Sequence, residues 1–337
     1  MTTFYLDTKA VSDLVRTNGT ETFISALAQF IEEDYRRWDD FTKSARLAVY
    51  YPDGLNELMP IADKDHFAFK FVNGHPKNPL KGLLTVIAFG VLSENASGYP
   101  VLISDLTLVT ALRTAATSAL TAKYLARKNA KTMAIIGCGA QSEFQLLAFK
   151  ALLGVTEVRA FDLNRAAIDR VIRNLDGMGI KITAAASAKE AVKGVDIVTT
   201  ATAAKAKVAV LTPDMIEPGV HINAIGGDAP GKTELHPDVL KMGRVVVQYE
   251  PQTRIEGDIQ QMPKDFPVVE LWRVFSGAEP GRRSDSEVTI FDSVGFALED
   301  FSSLRCLYGM AGGAGKPLDI VPQLEDPRDL FSLLRDR

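Results

Sequence analysis

The run Gly137-Cys138-Gly139-Ala140-Gln141-Ser142 follows an apolar segment, TMAII, and opens an amphipathic stretch; a second apolar segment then ends on Asp162. Glycine at 137 permits a tight strand-to-helix turn. Glycine at 139 lets backbone N–H groups approach a pyrophosphate, and the helix N-terminus adds partial positive charge. Asp162 lies 25 residues after Gly137, where a carboxylate accepts hydrogen bonds from a ribose and repels a 2′-phosphate, so NAD is favoured over NADP. Ser142 stands where a third glycine would be. The dinucleotide-binding reading therefore rests on the whole order of strand, turn, helix, strand and acid. Arg165, just beyond the acid, could touch a 2′-phosphate, but a solvated surface position is favoured.

In open α/β sheets ligands gather beyond the carboxyl ends of the strands. The apolar run VHINAI leads into Gly226-Gly227-Asp228-Ala229-Pro230-Gly231-Lys232, which makes Asp228 the first candidate for acid/base work. Asp beside Gly and Pro also caps turns, and local pattern leaves the two roles even. Arg46 and Lys70 each fall in a strand of apolar and aromatic residues. Such a cation can bind a carboxylate across a cleft, although the pattern alone favours its pointing to water. Glu57, in ELMP, is equally ambiguous. Arg113 can hold a phosphate or carboxylate near a cleft, or lie on the surface. Cys138 reads as a small loop filler, and the four histidines show no metal-ligand spacing, so no metal is expected.

The elements that must position these groups suggest two domains, the default for 337 residues. A helix is expected over Thr22 to Trp38, followed by an antiparallel or mixed sheet between Ala45 and Thr110 and a connecting helix over Leu112 to Ala130. Beyond Asp162 come a helix over Arg165 to Leu175, a strand at Lys181 to Ala184, a helix from Ala188 and a strand over Val195 to Thr199. A short helix near Pro213 leads to strands at Gly219 to Ile225 and Arg244 to Val247, with a helix near Thr233 to Lys241 between them. That is about six strands in a doubly wound sheet. A further helix runs through Leu298 and Leu304, a turn spans Gly312 to Pro317, and the charged tail from Asp326 either packs back on the N-terminal part or frays. The composition, 46% hydrophobic and 24% charged with net charge −4, gives no footprint for nucleic acid. The N-terminus has no basic segment leading into an apolar run, and the longest apolar stretch, Leu83 to Leu92, cannot span a bilayer. Two cysteines leave no disulfide framework. A cytoplasmic protein without membrane or nucleic-acid partners is expected.

The segments ELMP, KFVNGHPKN, SGYPVLISDLT, ALRTAATSA, IIGCGAQSEFQ, INAIGGDAPGKTELH, QYEPQTRIEGDIQQ and FDSVGFALED together cover nearly the whole chain. In them the sequence resembles the ornithine cyclodeaminase/mu-crystallin family. The run Gly226 to His236 discriminates within it, because reductases and mu-crystallin diverge there. The resemblance implies a Rossmann-type doubly wound parallel sheet over 116–317. It also implies an α+β substrate-binding and dimerisation domain over 1–115, completed by 318–337, and a homodimer formed through that domain. It implies NAD-dependent conversion of a basic amino acid, L-ornithine, to L-proline and ammonia. Arg46 and Lys70 would bind the substrate carboxylate, with Glu57 near the amine, the Val294 backbone lining the pocket and Asp228 the catalytic acid/base. Thr85, Arg113, Ala140, Gln141, Asp162, Thr202, Lys232 and Ser293, with Gly137 and Gly139, would hold the dinucleotide over Asn223, Ala224 and Ile225. The alternatives are a lysine cyclodeaminase giving pipecolate, a net NAD(P)-dependent amino-acid dehydrogenase or cyclic imine reductase, and a non-enzymatic binding protein.

Overall fold

Side-chain alternation sorts the N-terminal sheet into two faces. Along the strand His66–Gly74, Ala68, Lys70 and Val72 are buried while Phe67 is exposed on the opposite face. The computed structural model, which describes residues 2–202, 207–311 and 315–335, places this strand between Gly54–Ala62 and Ala88–Glu94, antiparallel to both. Across the sheet the order is Lys316–Leu318, Thr3–Leu6, Pro100–Asp105, Ala88–Glu94, His66–Gly74, Gly54–Ala62 and Thr42–Lys43, with Leu47–Tyr51 also paired to Gly54–Ala62. Thr3–Leu6 runs parallel to Pro100–Asp105, so the sheet is mixed. The helix Ala297–Ala311 packs on its inner face and against the helix Thr20–Arg36.

The second sheet is wholly parallel, in the order Lys181–Ala184, Glu157–Phe161, Thr132–Ile136, Ile197–Thr200, His221–Ala224, Thr289–Asp292, Arg244–Val247 and Val269–Glu270. Its central strands are buried end to end, which parallel sheets covered on both faces require. The chain moves outward from Thr132–Ile136 first to one side and then to the other. This makes the gap between Thr132–Ile136 and Ile197–Thr200 the switch point, at which a crevice forms. The fold is thus mixed α/β with a doubly wound parallel sheet.

Several expectations need correction. Among the described residues the parallel sheet has eight strands, not about six, because Thr289–Asp292 inserts between His221–Ala224 and Arg244–Val247 and Val269–Glu270 adds an edge. Val269–Glu270, at two residues, is too short to stand out from its flanks. Thr233–Leu235 is a strand, paired with Lys207–Leu211, and the helix expected there starts only at Pro237, whose ring suits a first helical turn. The connecting helix is Thr107–Leu125; it begins where Asp105 Oδ1 accepts the Thr107 N–H, and it runs across residue 115. The first long helix is Thr20–Arg36, after which Trp38–Asp40 forms a 3-10 turn. Of the turn expected at Gly312 to Pro317, residues 312–314 lie outside the described residues, as do 336 and 337 of the tail. The segment beyond packs back: Lys316–Leu318 pairs antiparallel with Thr3–Leu6, and Lys316 Nζ lies 2.7 Å from Asp7 Oδ2.

Candidate active site

The glycine loop is built to present N–H groups. Gly137 has φ +97, and a Cβ there would lie 2.5 Å from the Ala201 carbonyl, so only glycine fits. At Gly139 a Cβ would meet nothing within 4 Å, which leaves open space above the loop. The loop carbonyls are tied down: Arg170 Nη2 donates to Cys138 O (2.7 Å) and Gly139 O (3.0 Å). Ser142, in the third-glycine position, is buried with its hydroxyl donating to Gly139 O at 2.6 Å. Asp162 caps the strand end, accepting the Cys138 N–H (2.7 Å) and the Asn164 N–H (2.7 Å). Arg165 pairs with Asp169 on the surface. Burial pushes the Cys138 thiol up to about 12, which suits a filler and not a nucleophile.

Around this loop, Gln141 Oε1 and Asn223 Oδ1 are buried and accept no hydrogen bond among the described residues, whereas the Thr200 and Thr202 hydroxyls face the Glu234 carboxyl and oppose the upward push of its burial. All sit at or beyond the carboxyl ends of parallel strands. Buried polar atoms are ordinarily satisfied, so the two amide oxygens fit a polar ligand such as a dinucleotide. Ser293 N–H donates to Ala224 O (2.9 Å) and Ile225 N–H to Thr200 O (3.0 Å), locking these strand ends together. Gln248 holds the next turn, donating to Ser293 Oγ (2.8 Å) and accepting the Val294 N–H (3.1 Å).

On the facing sheet the structure overturns the expectation that Arg46 and Lys70 point to water. Arg46 precedes the strand Leu47–Tyr51, and Gln252 Oε1 accepts its N–H. Its buried guanidinium donates through Nη1 to Glu57 Oε2 (2.9 Å) and through Nη2 to the carbonyls of Val294 (2.5 Å) and Gly295 (2.6 Å). Its Nε lies 3.2 Å from Glu256 Oε2. Lys70 is 1% exposed, with Nζ 2.8 Å from Asp300 Oδ1. Arg113 joins the same group, with Nη1 2.8 Å from Glu299 Oε2 and Nε 3.1 Å from Asp300 Oδ1, while Tyr35 donates to Glu299 Oε1 (3.0 Å). Burial and the neighbouring Arg113 charge push the Lys70 ammonium down to about 8 against the pull of Asp300. Burial pushes the Glu256 carboxyl up to about 7; Arg46 opposes this, and Glu57 and Asp228 add to it.

Asp228 projects half-exposed from its glycine turn, with Oδ1 2.8 Å from Lys232 Nζ. A relay of buried carboxylates holds that turn. Asp292, ending its strand, accepts the N–H groups of Asp258 (2.9 Å) and Ile259 (2.8 Å). Asp258 Oδ1 accepts those of Glu234 and Leu235, both at 2.8 Å. Glu234 in turn accepts the N–H groups of Thr202 (2.5 Å) and Gly226 (2.9 Å), so one side chain fastens two loops. A Cβ on Gly226 would lie 2.2 Å from that carboxylate. Burial and the Asp292 charge raise Asp258; burial, with the Glu234 charge, raises Asp292 to about 7.

Arg46, Glu57 and Val294 are thus brought together, as are Lys70 and Arg113, Asp228 and Lys232, and Thr202 and the turn carrying Asp228. Ala140 stands exposed at the loop mouth, and Thr85 lies apart in the segment before Ala88–Glu94, its carbonyl accepting the His75 N–H (2.8 Å). Sequence reasoning missed Glu256, Gln252, Glu234, Gln248, Arg170 and the pair Glu299 and Asp300. Glu256, Gln252 and Gln248 lie within QYEPQTRIEGDIQQ, and Glu299 and Asp300 within FDSVGFALED, where clustered acids and amides in an otherwise buried run were the available signal.

The profile of the ornithine cyclodeaminase/mu-crystallin family matches residues 8–314. An ornithine cyclodeaminase of Agrobacterium fabrum is 53% identical over 335 residues, covering 99% of this chain and 95% of that one. Among solved structures, an archaeal alanine dehydrogenase dimer with bound NAD superposes with a TM-score of 0.87 at 31% identity, covering 95% of this chain and 100% of that one. A lysine cyclodeaminase described for its recognition of L-lysine, L-ornithine and L-2,4-diaminobutyric acid superposes with a TM-score of 0.92 at 27% identity, covering 99% and 100%. A profile match over most of the length, and majority identity along almost all of it, mean that this chain belongs to the ornithine cyclodeaminase/mu-crystallin family.

Proposed function

We propose that this chain converts L-ornithine to L-proline and ammonia, using NAD without net consumption. The observation that carries this reading is the meeting of buried carboxylate-binding cations, Arg46, Lys70 and Arg113, with the carboxylates Glu57 and Asp228 across the edge of a dinucleotide-binding sheet. Bound NAD would supply a hydride acceptor for Cα that later serves as donor to the cyclic imine, keeping the reaction redox-neutral. Residues 116–317 would hold it through Gly137, Gly139, Ala140, Gln141, Asp162, Thr202, Lys232 and Ser293, with Asn223, Ala224 and Ile225 beneath and Thr85 and Arg113 from the facing domain.

The protein's own groups do the rest. Lys70 and Arg46 hold the α-carboxylate; Arg46 Nε, 3.2 Å from Glu256 Oε2, makes no hydrogen bond among the described residues. Glu57 stands near the α-amine, which must be neutral for its lone pair to assist departure of the Cα hydrogen. Asp228 orients the δ-amine and takes its proton, so the δ-nitrogen attacks the electrophilic Cα. The C–N bond to the α-nitrogen then breaks, releasing ammonia. Holding the δ-amine against Cα removes much of the entropic cost of closing the ring.

Residues 1–115 with 318–337 form the substrate-binding and dimerisation domain, and the protein is a cytoplasmic homodimer. The uncovered aromatic face of the first sheet, including Phe67 and Phe89, and the dimeric archaeal relative support the dimer; sedimentation analysis tests it. A pocket differing by one methylene discriminates by only about 1–3 kcal/mol, so ornithine and lysine are compared directly. Purified protein with NAD is incubated with each amino acid while proline, pipecolate, ammonia and reduced-cofactor absorbance are followed. Proline and ammonia in equal amounts at constant absorbance support the reading. Accumulating reduced cofactor, or predominant pipecolate, overturns it.

A further inference from the structure

The buried charge cluster around Arg46 holds one carboxylate more than the cations within it. Its cations are Arg46, Lys70 and Arg113; its anions are Glu57, Glu256, Glu299 and Asp300, all with side chains at most 7% exposed. Lys70 and Arg113 are matched by Asp300 and Glu299 at 2.8 Å, and Glu57 takes the Nη1 hydrogen bond of Arg46. Asp228 and Lys232 offset each other at the half-exposed rim. Glu256 is left over. Its side chain is 4% exposed, and among the described residues its only cation is Arg46, whose Nε at 3.2 Å makes no hydrogen bond to it: both Arg46 Nε and Glu256 Oε2 are buried polar atoms without one.

This carboxylate is held where it is. Glu256 ends the helix Glu250–Glu256, in which Gln252 bonds Gly295 O and the Arg46 N–H, and the residues after it are pinned by Asp292. It faces Glu57 and Asp228 closely enough for both charges to act on it. Burying an uncompensated charge is unfavourable unless a counter-ion or proton arrives. An α-amino acid with an uncharged side chain brings an ammonium and a carboxylate that cancel, whereas a diamino acid brings one ammonium more.

We propose that Glu256 is the counter-charge for the substrate's side-chain ammonium and thereby selects diamino acids over amino acids with uncharged side chains. This rests on the ornithine reading above and gives Glu256 a task separate from that of Asp228. Asp228 sits at the solvent-facing rim, where a proton can leave, while Glu256 sits buried, where a charge is best recognised. Burial and the Glu57 and Asp228 charges push its carboxyl up, the direction that a neighbouring cation opposes, as Arg46 does.

The test compares wild type, Glu256→Gln and Glu256→Asp as full-length protein with saturating NAD. Two quantities are read: kcat and KM for L-ornithine, and the competitive inhibition constant of L-norvaline, which has the same chain without the δ-amine. Loss of one charge-assisted contact should raise the ornithine KM of Glu256→Gln about 10- to 100-fold. The norvaline constant should move less than about threefold, a change too small to signal a lost hydrogen bond. Glu256→Asp, which keeps the charge, should recover part of the preference, and it carries the same comparison if the amide variant does not fold. If both ligands weaken together, Glu256 merely orients Arg46 and the proposal fails; an unchanged ornithine KM also overturns it. A wild type that makes no proline sinks the underlying reading instead, whereas a proline-forming wild type with unaltered selectivity in the variants sinks only the assignment of Glu256.

Discussion

If Lys70 holds the substrate carboxylate as proposed, its own titration sets the pH at which that grip is lost. Its ammonium is fully buried, and burial together with Arg113 brings it from 10.5 to about 8, although Asp300 stands 2.8 Å away. A shift of that size corresponds to about 3 kcal/mol of preference for the neutral amine in the folded protein. Because the folded value lies below the unfolded one, this group weighs against folding at pH below about 8. That burden is relieved as pH rises from about 8 toward 10.5. Substrate binding has the opposite sign, since a carboxylate needs the charged form. The expected profile of kcat/KM for ornithine therefore bends near pH 8, and each further unit of pH removes about tenfold of the protonated fraction. Lys70→Met should lower kcat/KM about 10- to 100-fold at neutral pH, the value of one charge-assisted hydrogen bond, and should lose this component of the bend. Proline formation is measured from pH 6 to 10 in constant ionic strength for both proteins. Titration of ornithine's own amines is common to the two and cancels in their ratio. A ratio of wild-type to variant activity that stays flat across that range would falsify the assignment of Lys70 as a carboxylate ligand.

Asp228→Asn should lower kcat by about 10²–10⁴-fold, the usual worth of a general base, with NAD affinity unchanged; a variant turning over at the wild-type rate removes Asp228 from the chemistry. The glycine loop gives a paired outcome. Gly139→Ala should keep the melting temperature and weaken NAD binding, because its Cβ enters open space above the loop. Gly137→Ala should destabilise by about 1–3 kcal/mol or more through its positive φ and the Ala201 carbonyl. Identical behaviour of the two would contradict this geometry. The raised Asp292, near 7 against 3.8 unfolded, favours folding while protonated, so stability declines as pH rises from about 4 to 7. Asp258→Asn keeps the Oδ1 acceptor and removes a second carboxyl that burial and the Asp292 charge raise. Its melting temperature should therefore fall less steeply over that window, and an unchanged slope in thermal melts would show that the pair shares no proton.

Local pattern revealed the parts of the site that are local. The glycine loop and Asp162 were readable because the turn, the N–H-presenting backbone and the following acid are close in sequence and obey a fixed strand-helix-strand order. Even Ser142 in the third-glycine position was visible there, although its hydrogen bond to Gly139 O was not. Arg46 and Lys70 could not be placed from pattern, because a cation among apolar strand residues looks the same whether it faces water or a buried acid 230 residues away, as Lys70 does with Asp300. The carboxylate relay through Glu234, Asp258 and Asp292 was invisible for a related reason. Acids satisfied by backbone N–H groups leave no complementary residue type to find, and the strand ending on Asp292 is only four residues long. The resemblance supplied residues such as Asp228 and Val294 that spacing alone left open. It did not supply Glu256, whose importance emerges only when the charges around Arg46 are matched in space.

The strand Thr3–Leu6 sits between Pro100–Asp105 and Lys316–Leu318. Its outer edge stays bare until Lys316–Leu318, far downstream in sequence, has been made. During that interval the nascent protein carries an open β-edge bearing aromatic side chains, the kind of surface on which growing chains mispair. A product truncated anywhere before Lys316 would leave that edge without its antiparallel partner, however well the dinucleotide-binding half has folded.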